Sequence, residues 1–405
     1  MRSAGKPRTP GRPGGIVQVL AASVKLGVTS FGGPIAHLGY FHHEYVVKRG
    51  WLGETAFADL VALCQFLPGP ASSQVNMAVG MSRAGIGGAL AAWVGFTLPS
   101  AAILTAFAFL TGLRGVMGSG WLHGLMLAAV AIVAQAVWGM ARRLAPDATR
   151  GAIASVAAIS SLLVPSSLTQ IALIAAGALA GRFLVRSDAA APREKLPLQV
   201  SRPAAVASLA VFVLLLAGLP LARMLFPVRE LAVAESFYRV GSLVFGGGHV
   251  VLPLLHREVV PPGWISDAGF MAGYAFAQAV PGPLFTFAAY VGAAMQPGAG
   301  GIALAVIALA AIFLPSFLLL AGILPYWNEL RARPAFQSAL AGVNAAVVGL
   351  LAAALYAPVW TSAVFTVPDF CIVLGAFALL ARLSAPPWLV VALGAAAGEL
   401  VRLVS

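Results

Sequence analysis

The chain alternates long apolar runs with short polar intervals over almost its whole length. Most of the runs reach about 18 residues, which is long enough for a helix to cross a hydrocarbon core of roughly 30 Å. The ten-residue alternation typical of an outer-membrane barrel is not seen. The pattern therefore predicts an all-α polytopic membrane protein with about 13 membrane segments. The predicted segments are 16–33, 55–80, 84–112, 121–141, 151–165, 168–184, 204–226, 232–248, 268–295, 299–324, 335–357, 361–382 and 386–404.

Three predicted segments, 16–33, 151–165 and 232–248, are short or marginal for a full crossing. A helix in lipid can be broken only where protein or water satisfies its backbone groups. We therefore expect tilted, broken or re-entrant helices at these positions.

Composition agrees with a membrane protein and removes several other classes. Apolar residues make up 60% of the chain and charged residues 9%, with a mean hydropathy of +0.92, against about 45–50% and about 25% in soluble domains. The net charge of +12 is spread through short loops, so no nucleic-acid partner is expected. Cys64 and Cys371 lack the spacing of a metal site or disulfide. No Walker A or hydrolase motif is present, so we expect a protein that is not an enzyme and has no cofactor.

Lysine and arginine are distributed unevenly over the predicted loops. With the N-terminus in the cytoplasm, seventeen of these residues fall in inside loops and six in outside regions, while Lys25 and Arg239 lie within segments. Because cytoplasmic loops carry an excess of positive charge, this bias predicts a cytoplasmic N-terminus, with residues 1–15 as a retained basic tail.

The two halves of the chain repeat one set of glycine and polar positions. A shift of 214 in residue number aligns Phe31-Gly32-Gly33 with Phe245-Gly246-Gly247, Leu38 with Leu252, His42 with His256, Glu44 with Glu258 and Val46 with Val260. A shift of 213 then aligns Trp51 with Trp264, Phe57 with Phe270, Gln65 with Gln278 and Pro68-Gly69-Pro70 with Pro281-Gly282-Pro283. Apolar composition alone does not repeat such residues in order, so we infer two homologous repeats.

The predicted domains are a first repeat at 16–184 and a second at 232–405. Residues 185–231 join them as a cytoplasmic linker followed by a connecting transmembrane helix at 204–226. Six segments, one extra crossing and six more would start the second repeat from the opposite side of the membrane. Inverted repeats of this kind provide alternating access in many secondary transporters.

Glycine and proline motifs mark where the helices should break. Glycine allows positive φ and close approach, so FGG can aim backbone N–H groups at an oxyanion, and proline should unwind the helices at PGP. A half-helix starting after Pro70 would present its positive end to the anion. The alternative is that these motifs only make kinks and helix contacts. The candidate binding residues are Phe31, Gly32, Gly33, Gly246, Gly247, Gly248, Gln65, Pro68, Gly69, Pro70, Ser72, Ser73, Asn76, Gln278, Pro281, Gly282 and Pro283.

Histidine and glutamate follow both FGG breaks, at His42, Glu44, His256 and Glu258. Such groups could exchange protons with the substrate or couple transport to a proton gradient. The alternative is a polar cluster that anchors helix ends in water. His37 aligns with Val251 instead of a histidine, and we expect it to make only a local polar contact.

Two cations, Lys25 and Arg239, lie six residues before the FGG breaks. At about 1.5 Å per residue, each charge is roughly 9 Å from its break. A cation within a membrane segment costs at least about 2.5–3.5 kcal/mol, so we predict that both bind a dianion near the midplane. The alternatives are a pair between Arg239 and Glu235, one turn earlier, and snorkelling of Lys25, which has Ala21 at that position.

The motifs "FGGPIAHLGYF" and "FLPGP" in the first half, with "FGGGHVVLP" and "AVPGP" in the second, resemble those of the chromate ion transporter family. The similarity is to its long-chain, two-domain members and covers roughly 16–165 and 232–382. It implies export of chromate from the bacterial cytoplasm across the inner membrane, driven by the proton motive force. A carrier of sulfate or another oxyanion, an anion channel and, less favoured, a lipid flippase stay open. The implied partners are chromate or a sulfate-like dianion, protons and the lipid bilayer, with a homodimer left open.

The odd number of crossings gives the first testable prediction. Reporter fusions after Arg402 should place the C-terminus outside the cytoplasm, because the connecting segment inverts the second repeat. A fusion within 185–203 should report a cytoplasmic position and serves as the internal control. A cytoplasmic C-terminus would mean an even number of crossings and would remove the case for inverted repeats.

Overall fold

A computed structural model describes residues 15–31, 33–111, 120–185, 200–245, 250–331 and 333–404. Within these ranges the protein is helical and contains no strand, which confirms the all-α prediction. Gly32 and the triplet Gly246-Gly247-Gly248 are outside the described residues.

In the first half, short helices precede longer ones. The helices are α1 Ile16–Thr29, α2 Gly33–Phe41, a π-helical segment His42–Lys48, α3 Glu54–Phe66, α4 Ala71–Thr111, α5 Gly120–Leu144, α6 Ala148–Leu163 and α7 Ser167–Leu184.

The second half contains corresponding helices after one additional long helix. The helices are α8 Arg202–Leu225, α9 Arg229–Leu243, α10 Val251–Val259, α11 Asp267–Ala279, α12 Phe287–Ala294, α13 Gly298–Ile323, α14 Trp327–Arg331, α15 Pro334–Ala354, α16 Val367–Arg382 and α17 Pro387–Val404. A 3-10 turn, Leu284–Thr286, precedes α12, and a second, Leu324–Tyr326, follows α13; a π-helical segment, Leu355–Trp360, follows α15.

Most predicted segments coincide with helices to within a few residues, and both PGP motifs break them. Segment 55–80 contains α3 and the start of α4, and segment 268–295 contains α11 and α12. The apolar pattern missed α2 and α10, which follow the two FGG motifs. Both are only nine residues long and lie in stretches interrupted by Gly and His, so they present no long apolar run.

Five helical stretches of the described chain are long and apolar enough to cross a membrane. They are Ala71–Leu110, Gly120–Leu144, Arg202–Leu225, Gly298–Tyr326 and Pro334–Trp360. Shorter apolar helices accompany them at Ile16–Thr29, Ala148–Leu163, Leu168–Leu184 and Leu284–Ala294. The protein is therefore a polytopic membrane protein, and the figure of 13 segments remains a prediction.

The long helix α4 is two helices joined at a sharp turn. Ala84 and Gly85 leave helical geometry, and Gly85 has a φ of +58°. Beyond the turn, a Cβ on Gly88 would lie 2.1 Å from the carbonyl oxygen of Gly80, so the two backbones touch there. Residues 71–83 and 86–111 are therefore separate helices, as the predicted boundary between 55–80 and 84–112 requires.

Left-handed glycines occur at matching places in the two halves. Among the described glycines those with positive φ are Gly50, Gly69, Gly85, Gly263, Gly282 and Gly298. The differences 263 minus 50, 282 minus 69 and 298 minus 85 all equal 213. The backbone thus turns at three positions that share the spacing of the PGP motifs.

The connecting helix α8 lies at the periphery of the molecule. It packs on α9 and α13, and the Tyr238 hydroxyl donates to the Phe212 carbonyl at 2.9 Å. Only 6% of an 18-residue apolar stretch of this helix is buried inside the protein. Such a helix exposes most of its apolar surface to lipid, which fits a crossing that links two larger units.

Candidate anion site where the PGP loops cross

The two PGP loops exchange backbone hydrogen bonds with the opposite half of the chain. The Gly69 N–H donates to the Val244 carbonyl at 2.7 Å, and the Gly282 N–H donates to the Ser30 carbonyl at 3.0 Å. Ser30 and Val244 are the residues that precede the two FGG motifs, and the shift of 214 aligns them with each other. The FGG and PGP motifs therefore meet across the halves.

The PGP glycines have no room for a side chain. Gly69 has a φ of +116° and Gly282 a φ of +106°. A Cβ on Gly69 would lie 2.3 Å from Ser316 Oγ, and one on Gly282 would lie 2.7 Å from Ser100 Oγ. Each glycine thus contacts a serine from the opposite half of the chain.

Ser100 and Ser316 were missed by the sequence analysis. Both follow a proline within a long helix, in the matching triplets Leu98-Pro99-Ser100 and Leu314-Pro315-Ser316. The aligned motifs stopped at PGP, about thirty residues earlier. Extending the alignment to these triplets, with the shift increased to 216, would have found both serines.

Several buried polar atoms near the crossing have no hydrogen-bond partner among the described residues. All belong to residues that are at most 1% exposed. The atoms are Ser30 Oγ, Ser73 Oγ, Gln74 Oε1, Thr97 Oγ1 and Ser316 Oγ. Unpaired polar groups in an apolar interior cost free energy, and most buried ones are paired. Four of the five atoms are hydroxyl oxygens, whose protons can be donated to an oxyanion.

The first-half loop leads into a helix whose N-terminus carries Ser72 and Ser73. Helix α4 starts at Ala71, directly after Pro70, and its first N–H groups can bind an anion. Ser72 Oγ lies 3.3 Å from His37 Nδ1, while Ser73 Oγ lacks a partner among the described residues. The predicted half-helix after Pro70 is therefore present.

The second-half loop is chemically different. Phe285 and Phe287 replace Ser72 and Gln74 at the shift of 213, and the Thr286 hydroxyl donates to the Pro283 carbonyl at 2.7 Å. A 3-10 turn stands where the first half continues directly into α4. Most hydroxyls near the crossing that lack a partner among the described residues thus come from the first half.

The predicted amide side chains lie in three different environments. Gln65 is exposed on α3, whereas Gln278 has a buried Nε2 without a hydrogen-bond partner in the described part of the chain. Asn76 is fully buried, accepts from Tyr45 and Ser23 and donates to the Ala92 carbonyl at 2.9 Å. Of the three, Asn76 bridges helices in the way the alternative interpretation described.

The remaining motif residues surround the crossing. Phe31 is partly buried after α1, and Gly33 starts α2. Pro70 and Pro283 are buried, while Pro68 and Pro281 are partly exposed. No cluster of potential metal ligands occurs among the described residues.

Lys25 has a carboxylate partner that the sequence analysis missed. Its Nζ lies 2.6 Å from Glu44 Oε2, and Arg49 Nε lies 2.8 Å from the other oxygen of the same carboxylate. Glu44 follows Lys25 by nineteen residues, so a search one helical turn away could not find it. The Lys25 side chain remains 47% exposed, while that of Glu44 is buried.

Arg239 is held by two carboxylates. It binds Glu258 in a bidentate pair with two distances of 2.7 Å, and its Nε lies 2.6 Å from Glu235. Glu235 also accepts from Arg223 of α8 at 2.8 Å. The pair with Glu235 that the sequence suggested as an alternative is therefore present, and Glu258 corresponds to Glu44 at the 214 shift.

The two aligned histidines each bind the start of the next helix. His42 lies 2.7 Å from Glu54 of α3, and His256 lies 2.7 Å from Asp267 of α11. Both acceptors occupy the first residue of their helix, and the shift of 213 aligns one with the other. These carboxylates were not among the predicted site residues, because Glu and Asp differ in identity at that aligned position.

Broken helices and backbone bonds between the halves of a polytopic helical protein are features that membrane transporters share. The chromate transporter family model matches residues 17–182 and again residues 231–399. The chain belongs to the chromate transporter family.

Curated relatives cover most of the chain. It is 28% identical to the chromate transport protein of Pseudomonas aeruginosa over 83% of this chain and 79% of that protein. It is 26% identical to the chromate transport protein of Cupriavidus metallidurans, over 84% and 81%. An uncharacterized transporter of Methanocaldococcus jannaschii is 29% identical over 83% of each chain. No solved structure matches the chain.

The tight contacts at the PGP glycines give a second prediction. Gly69→Ala and Gly282→Ala should each lower transport by about tenfold or more, because strained backbone costs about 1–3 kcal/mol and the new methyl group displaces a serine. Transport by purified protein in liposomes measures the effect. Gly139→Ala is the matched control, since no atom lies within 4 Å of its Cβ position. Normal rates in both PGP variants would show that the loops tolerate side chains and do not shape the site.

Proposed function

We propose that this protein is a secondary active transporter that exports chromate from the cytoplasm across the inner membrane, coupled to the proton motive force. The observation that carries the proposal is the crossing of the PGP loops, where buried hydroxyls lack partners among the described residues. Membership of the chromate transporter family and the names of two curated relatives support chromate as the substrate.

Inverted repeats would give this site access to each side of the membrane in turn. Three observations support the arrangement: the family model matches twice, positive-φ glycines repeat with the shift of 213, and the hydrogen bonds at the crossing are reciprocal. Helix α8 lies between the two family matches in the described part of the chain and would provide the additional membrane span that inversion requires.

The proposed site would bind the anion mainly through neutral donors. Ser73, Thr97 and Ser316 would donate hydroxyl protons, and the α4 N-terminus would add backbone N–H groups. Neutral donors avoid the cost of placing several fixed cations in a low-dielectric region. Lys25 would supply the mobile positive charge, because it is half exposed and Arg49 can keep Glu44 neutralised when Lys25 moves away.

We assign proton coupling to two histidine–carboxylate pairs and two cation–glutamate pairs. They lie at matching positions in the two halves of this chain. His42 with Glu54 and His256 with Asp267 would serve as the proton-exchanging pairs. Glu44 would release Lys25 to the substrate in the same cycle, while Glu258 keeps Arg239 fixed.

Flux measurements test the substrate and the mechanism together. Purified protein in liposomes should accumulate labelled chromate when a proton gradient is imposed, and a protonophore should abolish that accumulation. Excess unlabelled chromate on the opposite side should accelerate exchange, as a carrier requires and a channel does not. Inhibition by equimolar sulfate would favour a general oxyanion carrier, and lipid scrambling without chromate flux would favour a flippase.

The two cations should respond differently to neutral substitution. Lys25→Gln should insert and fold but lose most chromate flux, because Glu44 keeps its Arg49 partner. Arg239→Gln should lower the yield of folded protein, because it leaves the nearly buried Glu258 without its bidentate partner, and breaking such pairs costs about 3–5 kcal/mol. Thermal stability and flux of each purified variant separate the two effects.

Matched variants complete that comparison. Lys25→Arg should retain part of the flux, and Arg239→Gln combined with Glu258→Gln should recover the yield. Full chromate flux in Lys25→Gln would contradict the role proposed for Lys25 and leave it as a structural ion pair.

A further inference from the structure

His37 is a fully buried histidine beside the proposed anion site. It is 1% exposed, and its Nδ1 lies 3.3 Å from Ser72 Oγ at the start of α4. The ring also packs against Phe96, whose carbonyl oxygen lies 3.3 Å from the position that a Cβ on Gly282 would take. His37 therefore lies beside both loops of the crossing, which is more than the local contact expected from the sequence.

The surroundings of His37 are otherwise apolar. Its ring packs edge-on against Phe96 at 5.4 Å and near Phe41 at 6.3 Å between ring centroids. The histidine–carboxylate pairs of the described chain involve His42, His123 and His256 and leave His37 out. A protonated His37 would thus be a buried cation without a counter-ion from these residues.

Ionisable groups on the elements packed around His37 face other partners. On the π-helical segment, Glu44 binds Lys25 of α1 and Arg49, Tyr45 donates to Asn76, and His42 binds Glu54. The stretch 84–111 of α4 contains no ionisable side chain, and the PGP loop of the second half contains none either. The first turn of α4 offers only Ser72, Ser73 and Gln74.

We propose that His37 takes up one proton when the oxyanion binds, so that proton and anion occupy the site together. This inference rests on the proposed function and adds the proton-binding residue of the substrate site. The chemistry is a simple addition: the imidazole lone pair accepts one proton, and the imidazolium then donates a hydrogen bond to an anion oxygen. The anion supplies the missing counter-charge, and each ligand therefore raises the affinity for the other.

The two aligned histidines that have carboxylate partners cannot serve as this group. His42 and His256 already have carboxylates at 2.7 Å, so protonation there is balanced without substrate. His37 is distinguished by its burial, its contact with the α4 N-terminus and its lack of a carboxylate partner in the described structure. It also has no histidine counterpart in the second half, so one proton and one dianion would occupy the site with a net charge of −1, which an inside-negative membrane potential drives outward.

The test measures chromate binding to the purified full-length protein across a pH series from acidic to alkaline. Above the pH at which His37 loses its proton, the chromate affinity of the wild-type protein should fall relative to that of His37→Gln. The expected fall is up to about tenfold per pH unit. Dividing the affinity of the wild-type protein by that of His37→Gln at each pH removes the effect of the protonation of chromate itself. His37→Asn provides a second neutral variant in case His37→Gln does not fold, and exposed His43→Gln is the matched control that should keep the wild-type profile.

A direct readout accompanies the affinities. Adding chromate to weakly buffered wild-type protein should cause proton uptake that neither His37 variant shows and that His43→Gln retains. If wild-type and His37→Gln share the same pH profile and proton uptake, the role of His37 is overturned while chromate transport stands. If the wild-type protein neither binds nor transports chromate, the proposed function itself is overturned.

Discussion

The structure depends on two backbone hydrogen bonds that join its halves at the PGP loops. Proline and glycine prevent a regular helix at Gly69 and Gly282, and in a bilayer no water replaces the lost partners. Each glycine N–H instead uses the carbonyl that the opposite FGG break leaves free. The two kinds of helix break therefore satisfy each other's backbone groups.

The sequence predicted the fold better than it predicted the contacts of the site. Apolar runs located most helices within a few residues, and proline chemistry located the breaks, because both depend on local properties of the chain. The helices α2 and α10 were missed because they are short and interrupted by Gly and His. The Glu44 pair escaped because a contact across nineteen residues leaves no local pattern, and Ser316 was missed because the aligned motifs ended at PGP.

The halves share a backbone plan but differ in side chains. Gly69 and Gly282 both have positive φ, yet most hydroxyls without a partner among the described residues near the loops belong to the first half, and aromatic rings follow the second loop. The cations differ as well, since Lys25 is half exposed and Arg239 is fixed by two carboxylates. We interpret this division as specialisation: the first half carries the polar chemistry and the second half provides its rigid complement.

The hydrogen bond between the Gly69 loop and the second half can form only late in the synthesis of the chain. Gly69 bonds to Val244, a partner that the ribosome adds only after most of the first half and all of α8 have been made. At the usual rate of about 5–20 residues per second, the delay is roughly 9–35 s. Throughout that interval the first half occupies the membrane with an open backbone site, and lipid headgroups, water or an insertion factor must shield it until α9 arrives.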